Sequence, residues 1–410
     1  MEPQDVDKQE IGLAVFSDRS ASHRLGLVFC AVISIASLGW AVDVYRELGL
    51  SFMNEQFFAV VLAMALPAVL LIYRADYSEP GQSAPIQDWL LALAGFVNGI
   101  YVAIWYPDIL DRLYTSPTDA VIAGSIFIAL IAEGLRRTAG KVLFSFLVFF
   151  VLFGFFSHYL PFNFRGEEVS YARYAVFLGL DSNGLLGLAL KVSTTMIVAF
   201  LLFGFVLEKS GGAEFFTDLS KSLVGHKRGG SAKIAIVASS LFGSISGSAV
   251  SNVVSTGVVT IPLMRKSGYS KEHSAGVEAV ASTGGQLMPP MMGIAAFLMA
   301  EILHLPYSEI VVAAIIPALL YYIALFSHVD LLAVRDKINP LPISEMSRPG
   351  PVFRQGWLFF IPFLVIIMGL FRFNLQPETA AVCGTVSILP IGIFLGYGRV
   401  KLSLQDALPI

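Results

Sequence analysis

Nine apolar runs recur along the chain, each close to the length that crosses a lipid bilayer. A transmembrane helix needs roughly 20 consecutive, mostly apolar residues. The composition agrees, because 56% of the 410 residues are hydrophobic and 14% are charged, whereas a soluble domain is usually about 45–50% apolar and about 25% charged. The runs cover residues 25–42, 57–73, 89–106, 118–135, 142–160, 184–207, 309–327, 357–373 and 379–398. This pattern predicts an all-α polytopic membrane protein with about nine transmembrane helices.

The positions of lysine and arginine predict the topology of these runs. When the N-terminus is placed in the cytoplasm and each run crosses once, positive charge concentrates on the cytoplasmic side, as the positive-inside rule expects. This holds only if residues 234–264 enter and leave the membrane on the same side. The few basic residues then left outside are Arg46, Arg112, Arg165, Arg173 and Arg372. The sequence therefore predicts a cytoplasmic N-terminal segment, 1–24, and a re-entrant hairpin, 234–264.

The length of segment 234–264 also favours a hairpin. As one helix it would span roughly 46 Å at a rise of 1.5 Å per residue, which is long for a hydrocarbon core of roughly 30 Å. Folded at 243–251, it forms two arms joined by the tip sequence GSISGSAVSN. Glycine permits such a turn, and the serine and asparagine side chains offer oxygen atoms there.

A second interruption, STGGQLMPPM at 282–291, lies inside a helix predicted for 275–304. Gly284 and Gly285 loosen this helix, and Pro289 and Pro290 remove two backbone donors. Lipid cannot satisfy the backbone groups that are freed, so broken backbone persists only when it is buried in protein or lines a cavity. Transport proteins use such breaks to hold ions and substrates near the membrane midplane. Two facing breaks therefore predict an ion site between the hairpin and the interrupted helix.

The oxygen atoms of this block are hydroxyls, amides and backbone carbonyls without a group of carboxylates. Such a set suits a singly charged cation such as Na⁺, because Ca²⁺ normally takes several carboxylates. A structural interpretation stands beside the functional one, since small residues in membrane helices often serve close packing and a Pro-Pro pair can be only a kink. Glu278 is interpreted as an interface or capping carboxylate rather than a coupling group, one turn inside the cytoplasmic end of its helix.

Several other classes of protein find little support in the sequence. The net charge of −3 favours no nucleic-acid partner. The chain has no G-x-S-x-G elbow, no P-loop, no H-E-x-x-H and no G-x-G-x-x-G that opens a helix, and its histidines lack metal-ligand spacing. We therefore expect a protein that is not an enzyme and has no cofactor apart from a coupling ion. A membrane-embedded enzyme or an ion channel stays open as an alternative.

Three strings in this region resemble the signature of TRAP transporters: FGSISGSAVSNVVSTGVVTIPLM, KSGYS and GVEAVASTGGQLMPPMMGIAAFLMAE. The closest likeness is to the fused type, in which the small and the large membrane subunit share one chain. The resemblance covers about 184–400 and is strongest at 240–301, whereas segment 25–160 resembles the small subunit only in layout. It implies a multi-pass transporter of the bacterial inner membrane that imports organic acids with Na⁺ by an elevator-like motion. An extracytoplasmic solute-binding protein would deliver the substrate.

The resemblance also implies which residues bind the ion and the substrate. In the family, the tip of the first hairpin and the Pro-Pro break contribute to this site. Carried over to this sequence, the expected residues are Ser246, Gly247, Ser248, Ser251, Asn252, Thr283, Gly284, Gly285, Pro289 and Pro290.

The sequence departs from the family pattern in its last third. The family has two inverted repeats, and only the first is complete here: 184–327 forms the first repeat, 328–356 a cytoplasmic linker and 357–410 the start of the second. That start reads QPETAA at 376–381, where the family usually has a T-P-T-E-A-A-like string. We therefore expect a truncated product with an incomplete second repeat. The alternative function is a membrane scaffold fragment that does not transport.

Overall fold

The computed structural model describes residues 20–75, 83–159, 165–338, 340, 346, 348–398 and 401–402. Among these residues the secondary structure is helical, and eight helices are long and apolar enough to cross a membrane. This confirms the predicted all-α polytopic class. The chain divides into two compact units, the first within Met1–Ser37 and Tyr45–Thr194 and the second within Leu38–Val44 and Thr195–Pro409.

In the described part of the first unit, six helices have ten or more residues. They are α1 (Ala21–Ala41), α2 (Asn54–Ile72), α3 (Ile86–Arg112), α4 (Thr118–Thr138), α5 (Gly140–Phe155) and α6 (Tyr171–Leu180). Among the described residues, the eight candidate crossing helices are one fewer than the nine apolar runs, and the difference lies at α5. The apolar run at 142–160 forms a helix of only 16 residues, because the helix gives way to a 3₁₀ turn at Ser157–Tyr159. This helix is shorter than the roughly 20 residues that a crossing needs.

Small residues and one buried ion pair hold the first unit together. A Cβ atom on Gly99 of α3 would lie 2.5 Å from the Ala63 Cβ of α2, so these helices approach closely, as small residues allow in membranes. The Arg137 guanidinium donates to Asp88 Oδ1 at 2.8 Å, and both side chains are almost fully buried. Each charge is thus neutralised where water does not reach it.

The described residues after Leu180 form nine further helices. They are α7 (Leu188–Lys209), α8 (Gly212–Val224), α9 (Gly230–Ser246), α10 (Ala249–Lys266), α11 (Lys271–Gly284), α12 (Ile294–Leu303), α13 (Tyr307–Arg335), α14 (Pro349–Phe371) and α15 (Pro377–Leu395). A π-helical turn at Ser193–Ile197 interrupts α7. Such turns inside α-helices are rare and often lie at functional sites.

Several element boundaries differ from the sequence-based expectations. Helix α11 begins at Lys271 rather than near residue 275, because the Ser270 hydroxyl caps it by accepting from the His273 N–H at 3.1 Å. The predicted linker 328–356 is helical at both ends, since α13 runs to Arg335 and α14 begins at Pro349. The predicted terminal segment 1–24 lies mostly outside the described residues.

Helices α9 and α10 form a helical hairpin in the predicted segment. Only Gly247 and Ser248 separate the two helices, so the bend is tighter than the predicted 243–251. The chain folds back on itself, because the hydroxyls of Ser239 in α9 and Thr256 in α10 lie 3.1 Å apart. Whether this hairpin is re-entrant depends on its place in the membrane and stays a prediction.

Candidate functional site

The bend of the hairpin depends on glycine at position 247. Gly247 has φ +58°, in the left-handed region that favours glycine. A Cβ atom there would lie 2.3 Å from the Met292 carbonyl oxygen, so the tip also contacts the segment that follows the Pro-Pro pair. Ser248 then caps α10, its hydroxyl accepting from the Ser251 N–H at 3.3 Å. The Ser246 hydroxyl, 3.3 Å from the Ser248 carbonyl oxygen, closes the turn.

Asn252 joins the hairpin to the interrupted helix. Its side chain is fully buried. The amide Nδ2 donates to the Ser239 carbonyl of α9 at 2.9 Å and to the Ser282 carbonyl of α11 at 3.4 Å. A buried amide must find partners for its polar atoms, and here the partners belong to α9 and to α11. Asn252 therefore connects three helices through one side chain.

Two glycines bring the backbones of these elements into direct contact. A Cβ atom on Gly243 of α9 would lie 2.4 Å from the Gly285 Cα, and a Cβ on Gly285 would lie 2.6 Å from the Gly243 Cα. Any residue with a Cβ atom would require a backbone shift at either position. The hairpin and the break after α11 are thus in direct backbone contact, with Gly243 packed against Gly285.

The break itself extends from Gly285 to the start of α12. It begins with a 3₁₀ turn, Gly285–Leu287, and contains a cis peptide bond between Pro289 and Pro290. A tyrosine stabilises the freed backbone. Tyr307 lies at the start of α13, and its hydroxyl is 2.9 Å from the Pro290 carbonyl and 2.7 Å from the Met291 carbonyl. The hydroxyl therefore donates to these two acceptors of the break. Backbone that lacks helical partners is therefore satisfied inside the protein, as membrane depth requires.

A cavity of about 220 Å³ lies between the hairpin tip and the segment after the Pro-Pro pair. Polar atoms of the tip face mostly apolar side chains from α7 and α12. The lining residues are Ile197, Phe200, Leu201, Ser246, Gly247, Ser248, Met291, Met292, Ile294 and Phe297. The volume is below the roughly 300–1,000 Å³ of a drug-sized ligand pocket, so the cavity suits an ion or a small solute.

The structure does not bring all the predicted site residues together. Thr283 is exposed on α11, and its hydroxyl donates to the Ala279 carbonyl at 2.7 Å. Gly284 faces α13, where a Cβ atom would lie 2.3 Å from Tyr321 Cε1. Neighbouring helical residues point about 100° apart, so they cannot all face the hairpin. The residues that do lie at the hairpin–break contact or line the cavity are Ser246, Gly247, Ser248, Asn252 and Gly285.

The interpretation of Glu278 as an interface or capping carboxylate was wrong. Glu278 is fully buried. It accepts hydrogen bonds from the hydroxyls of Thr256 at 2.6 Å and Thr260 at 2.5 Å. The reason is the earlier start of α11 at Lys271, which places Glu278 about two helical turns inside the element rather than one.

An aromatic stack beside the cavity was not predicted either. The rings of Phe200 and Phe297 lie 5.2 Å apart, and those of Phe297 and Tyr307 lie 4.6 Å apart, both stacked. In the sequence these residues look like ordinary members of apolar runs. Only the tertiary contact of α7, α12 and α13 distinguishes them.

A polytopic helical protein in which a hairpin and a broken helix meet around a small cavity has the features of a membrane transport protein. The comparison with known families agrees. The model for "Tripartite ATP-independent periplasmic transporter, DctM component" matches residues 123–408, well over half of the chain. The chain therefore belongs to this family of TRAP transporter permeases, which are transporters and not enzymes. This confirms the family that the sequence motifs indicated.

Curated relatives show where the similarity lies. The chain is 29% identical over 191 residues to the sialic acid TRAP transporter permease protein SiaT of Haemophilus influenzae, covering 46% of this chain and 31% of the relative. It is 27% identical over 193 residues to the C4-dicarboxylate large permease protein DctM of Pseudomonas aeruginosa, covering 47% and 44%. It is 28% identical over 177 residues to the 2,3-diketo-L-gulonate large permease protein YiaN of Escherichia coli, covering 43% and 41%. The chain thus spans less than half the length of the curated relatives it matches.

Proposed function

We propose that this chain is a permease component of a secondary transporter that imports organic acids together with Na⁺. The observation that carries the proposal is the contact of Gly243 with Gly285, which joins the hairpin to the Pro-Pro break beside the cavity. Hydroxyl and carbonyl oxygens of Ser246, Ser248 and Met292 are the groups available to a Na⁺ ion there. They are uncharged oxygen atoms, which suit a hard, singly charged cation.

The substrate class follows from the relatives. The compounds in their printed names are sialic acid, C4-dicarboxylates and 2,3-diketo-L-gulonate, all of which carry a carboxylate. In this proposal an extracytoplasmic solute-binding protein delivers the acid, and the hairpin-bearing domain carries it across the membrane in an elevator-like motion. The chain lies in the bacterial inner membrane as the fused type, with a cytoplasmic N-terminus and a re-entrant 234–264.

Uptake into proteoliposomes tests the function. The purified chain is reconstituted with its solute-binding protein, and radiolabelled carboxylates of the three kinds above are added under an inward Na⁺ gradient or an equal K⁺ gradient. We expect accumulation of one acid class that needs both Na⁺ and the binding protein. Absence of uptake with every acid would favour the alternative, a membrane scaffold that does not transport.

Asn252→Ala tests the role of the hairpin–break contact in ion binding. Losing the amide removes the hydrogen bonds to Ser239 and Ser282. We expect a loss of about 1–1.5 kcal/mol in the free energy of Na⁺ binding. This loss corresponds to an apparent Na⁺ affinity of uptake that is roughly tenfold weaker. The matched control is Asn183→Ala, the same substitution at an exposed residue in a loop. Equal Na⁺ dependence in the two variants would contradict the assignment.

Topology is tested separately by labelling single cysteines introduced at positions 233 and 265 in intact cells. A re-entrant hairpin places both on the cytoplasmic face, where a membrane-impermeant reagent added outside does not reach them. Labelling of only one of the two positions from outside would show that 234–264 crosses the membrane.

A further inference from the structure

The polar atoms of the small cavity lie together at one end. Its polar side chains are those of Ser246 and Ser248, and both belong to the hairpin tip. The Met292 carbonyl oxygen lies beside the tip, because a Cβ atom on Gly247 would clash with it. None of the residues that line the cavity carries a charge. This end of the cavity therefore offers hydrogen bonds without a charged side chain.

The Ser248 hydroxyl provides a hydrogen-bond donor at this end. Its oxygen accepts from the Ser251 N–H at 3.3 Å, while its proton has no acceptor among the residues that the structure describes. A hydroxyl has one donor and two acceptor sites, so this donor is available to a carboxylate oxygen. The Na⁺ ion of the proposed function supplies the counter-charge, since an anion without a partner is costly to bury.

The rest of the cavity wall is apolar. Helix α7 contributes Ile197, together with Phe200 and Leu201, which follow it by three and four residues and so share its face of the helix. The π-helical turn of α7 ends at the first of these residues. Helix α12 contributes Ile294 and Phe297. The side chains opposite the polar tip thus offer no hydrogen-bond partner.

An aromatic stack ties this wall to the Pro-Pro break. The Phe200 and Phe297 rings lie 5.2 Å apart, and the Phe297 ring lies 4.6 Å from that of Tyr307. The Tyr307 hydroxyl in turn donates to carbonyls of the break. One end of the stack is therefore fixed by hydrogen bonds, and the wall exists before any ligand binds.

The two parts of the cavity discriminate between carboxylic acids. One carboxylate finds the Ser248 donor and the ion at the tip, and the remainder of the acid faces Phe200, Phe297 and their apolar neighbours. A hydroxyl group or a second carboxylate placed there would lose its water without gaining a partner, which is costly for a neutral group and more so for an anion. A hydrocarbon portion placed there is stabilised, because its apolar surface leaves water.

We propose that the cavity takes small monocarboxylates with an apolar carbon skeleton, such as short branched-chain 2-oxo acids, in preference to dicarboxylates and polyhydroxylated sugar acids. The residues that determine this specificity are Phe200, Leu201, Ile294 and Phe297. This specificity rests on the proposed function, in which the cavity holds an acid beside Na⁺. It narrows the range of acids in the names of the relatives, which include C4-dicarboxylates and sialic acid.

Thermal stabilisation of the detergent-solubilised chain tests the specificity without an uptake assay. In NaCl buffer the chain is titrated with 3-methyl-2-oxobutanoate, with succinate and with threonate. Succinate has the same number of non-hydrogen atoms as 3-methyl-2-oxobutanoate but a second carboxylate, and threonate has a single carboxylate and several hydroxyl groups. A ligand that binds the folded state raises the melting temperature according to its Kd. We expect the Kd of succinate and of threonate to be at least about tenfold higher than that of 3-methyl-2-oxobutanoate.

A polar substitution in the wall tests the residues themselves. Ile294 lines the cavity and is 52% exposed, so Ile294→Thr adds a hydroxyl without opening the protein core. We expect this variant to narrow the ratio of the threonate Kd to the 3-methyl-2-oxobutanoate Kd by roughly threefold to tenfold. The matched control is Ile302→Thr on the same helix, at a residue that is 64% exposed and does not line the cavity. It should keep the wild-type ratio.

Equal Kd values for the three acids, tighter binding of succinate or threonate, or no stabilisation by any acid would each overturn the proposal. So would a wild-type ratio in Ile294→Thr, or the same change of ratio in Ile302→Thr. Uptake into proteoliposomes separates this proposal from the transport function. If the three acids bind in the expected order while none is taken up, the transport function is refuted and the specificity stands. If Na⁺ drives uptake of succinate or threonate in preference to 3-methyl-2-oxobutanoate, the transport function stands and the specificity is refuted.

Discussion

The contact of Gly243 with Gly285 gives the sharpest structural prediction, which is that Gly243→Ala destabilises the protein. The new Cβ atom would lie 2.4 Å from the Gly285 Cα and 2.9 Å from Asn252 Nδ2. Both distances are too short, and the nearer atom belongs to backbone that cannot rotate away. Helix α9 must therefore move away from the break, or Asn252 must give up its hydrogen bonds.

The magnitude follows from three contributions. Overpacking a well-packed interior costs about 1–3 kcal/mol, and displacing the Asn252 amide from its carbonyl partners costs about 1 kcal/mol more. Replacing a helical glycine by alanine returns about 0.5–1 kcal/mol. We therefore expect a net loss of about 1–3 kcal/mol in the free energy of unfolding.

A thermal melt of the detergent-solubilised protein measures this effect. The matched control is Gly276→Ala in α11, where a Cβ atom would meet nothing within 4 Å. The control should melt at the wild-type temperature or slightly above, because alanine favours the helix. If Gly243→Ala melts together with Gly276→Ala, the close packing of hairpin and break is refuted.

Two other substitutions test one contact within each unit. Tyr307→Phe removes the hydroxyl that donates to two carbonyls of the Pro-Pro break; it should lower thermal stability by about 1–2 kcal/mol, whereas Tyr114→Phe at a tyrosine that is 91% exposed should not. Asp88→Asn leaves the buried Arg137 guanidinium with Glu133 as its remaining carboxylate partner and should cost about 1.5–3 kcal/mol, measured as a lower melting temperature and a lower yield of monodisperse protein. A wild-type melting temperature in either variant would contradict the corresponding contact.

Hydropathy and turn chemistry predicted most of the architecture. Apolar runs of bilayer length mark the crossing helices, and the helix in the run at 142–160 is shorter than the others because it gives way to a 3₁₀ turn at Ser157–Tyr159. The hairpin was predictable because a glycine-rich, hydroxyl-rich tip interrupts a segment too long for one crossing. Its bend could be narrowed to Gly247 only with the structure, since several glycines and serines in the tip could each permit a turn.

The site was less predictable, because it depends on which helix faces meet. The phase of α11 decides that Gly285 faces the hairpin while Thr283 points outward, and a start four residues earlier than expected moved Glu278 into the interior. The sequence around Glu278 consists of small residues and does not indicate that this side chain is buried. Nor does it indicate that hydroxyl groups of two other helices donate to it. Those contacts join residues up to 39 positions apart, which periodicity along one helix does not report.

The glycine pair also limits how the cavity can open. No side chain stands between the two backbones at this point, so there is no rotamer that could swing aside and let them separate. A change in the width of the cavity is therefore expected where Phe200 and Phe297 line it, because these two stacked side chains can change orientation. The hairpin and the break would then move together as one rigid body, and the side chains of the aromatic pair would be the part of the cavity wall that changes its orientation.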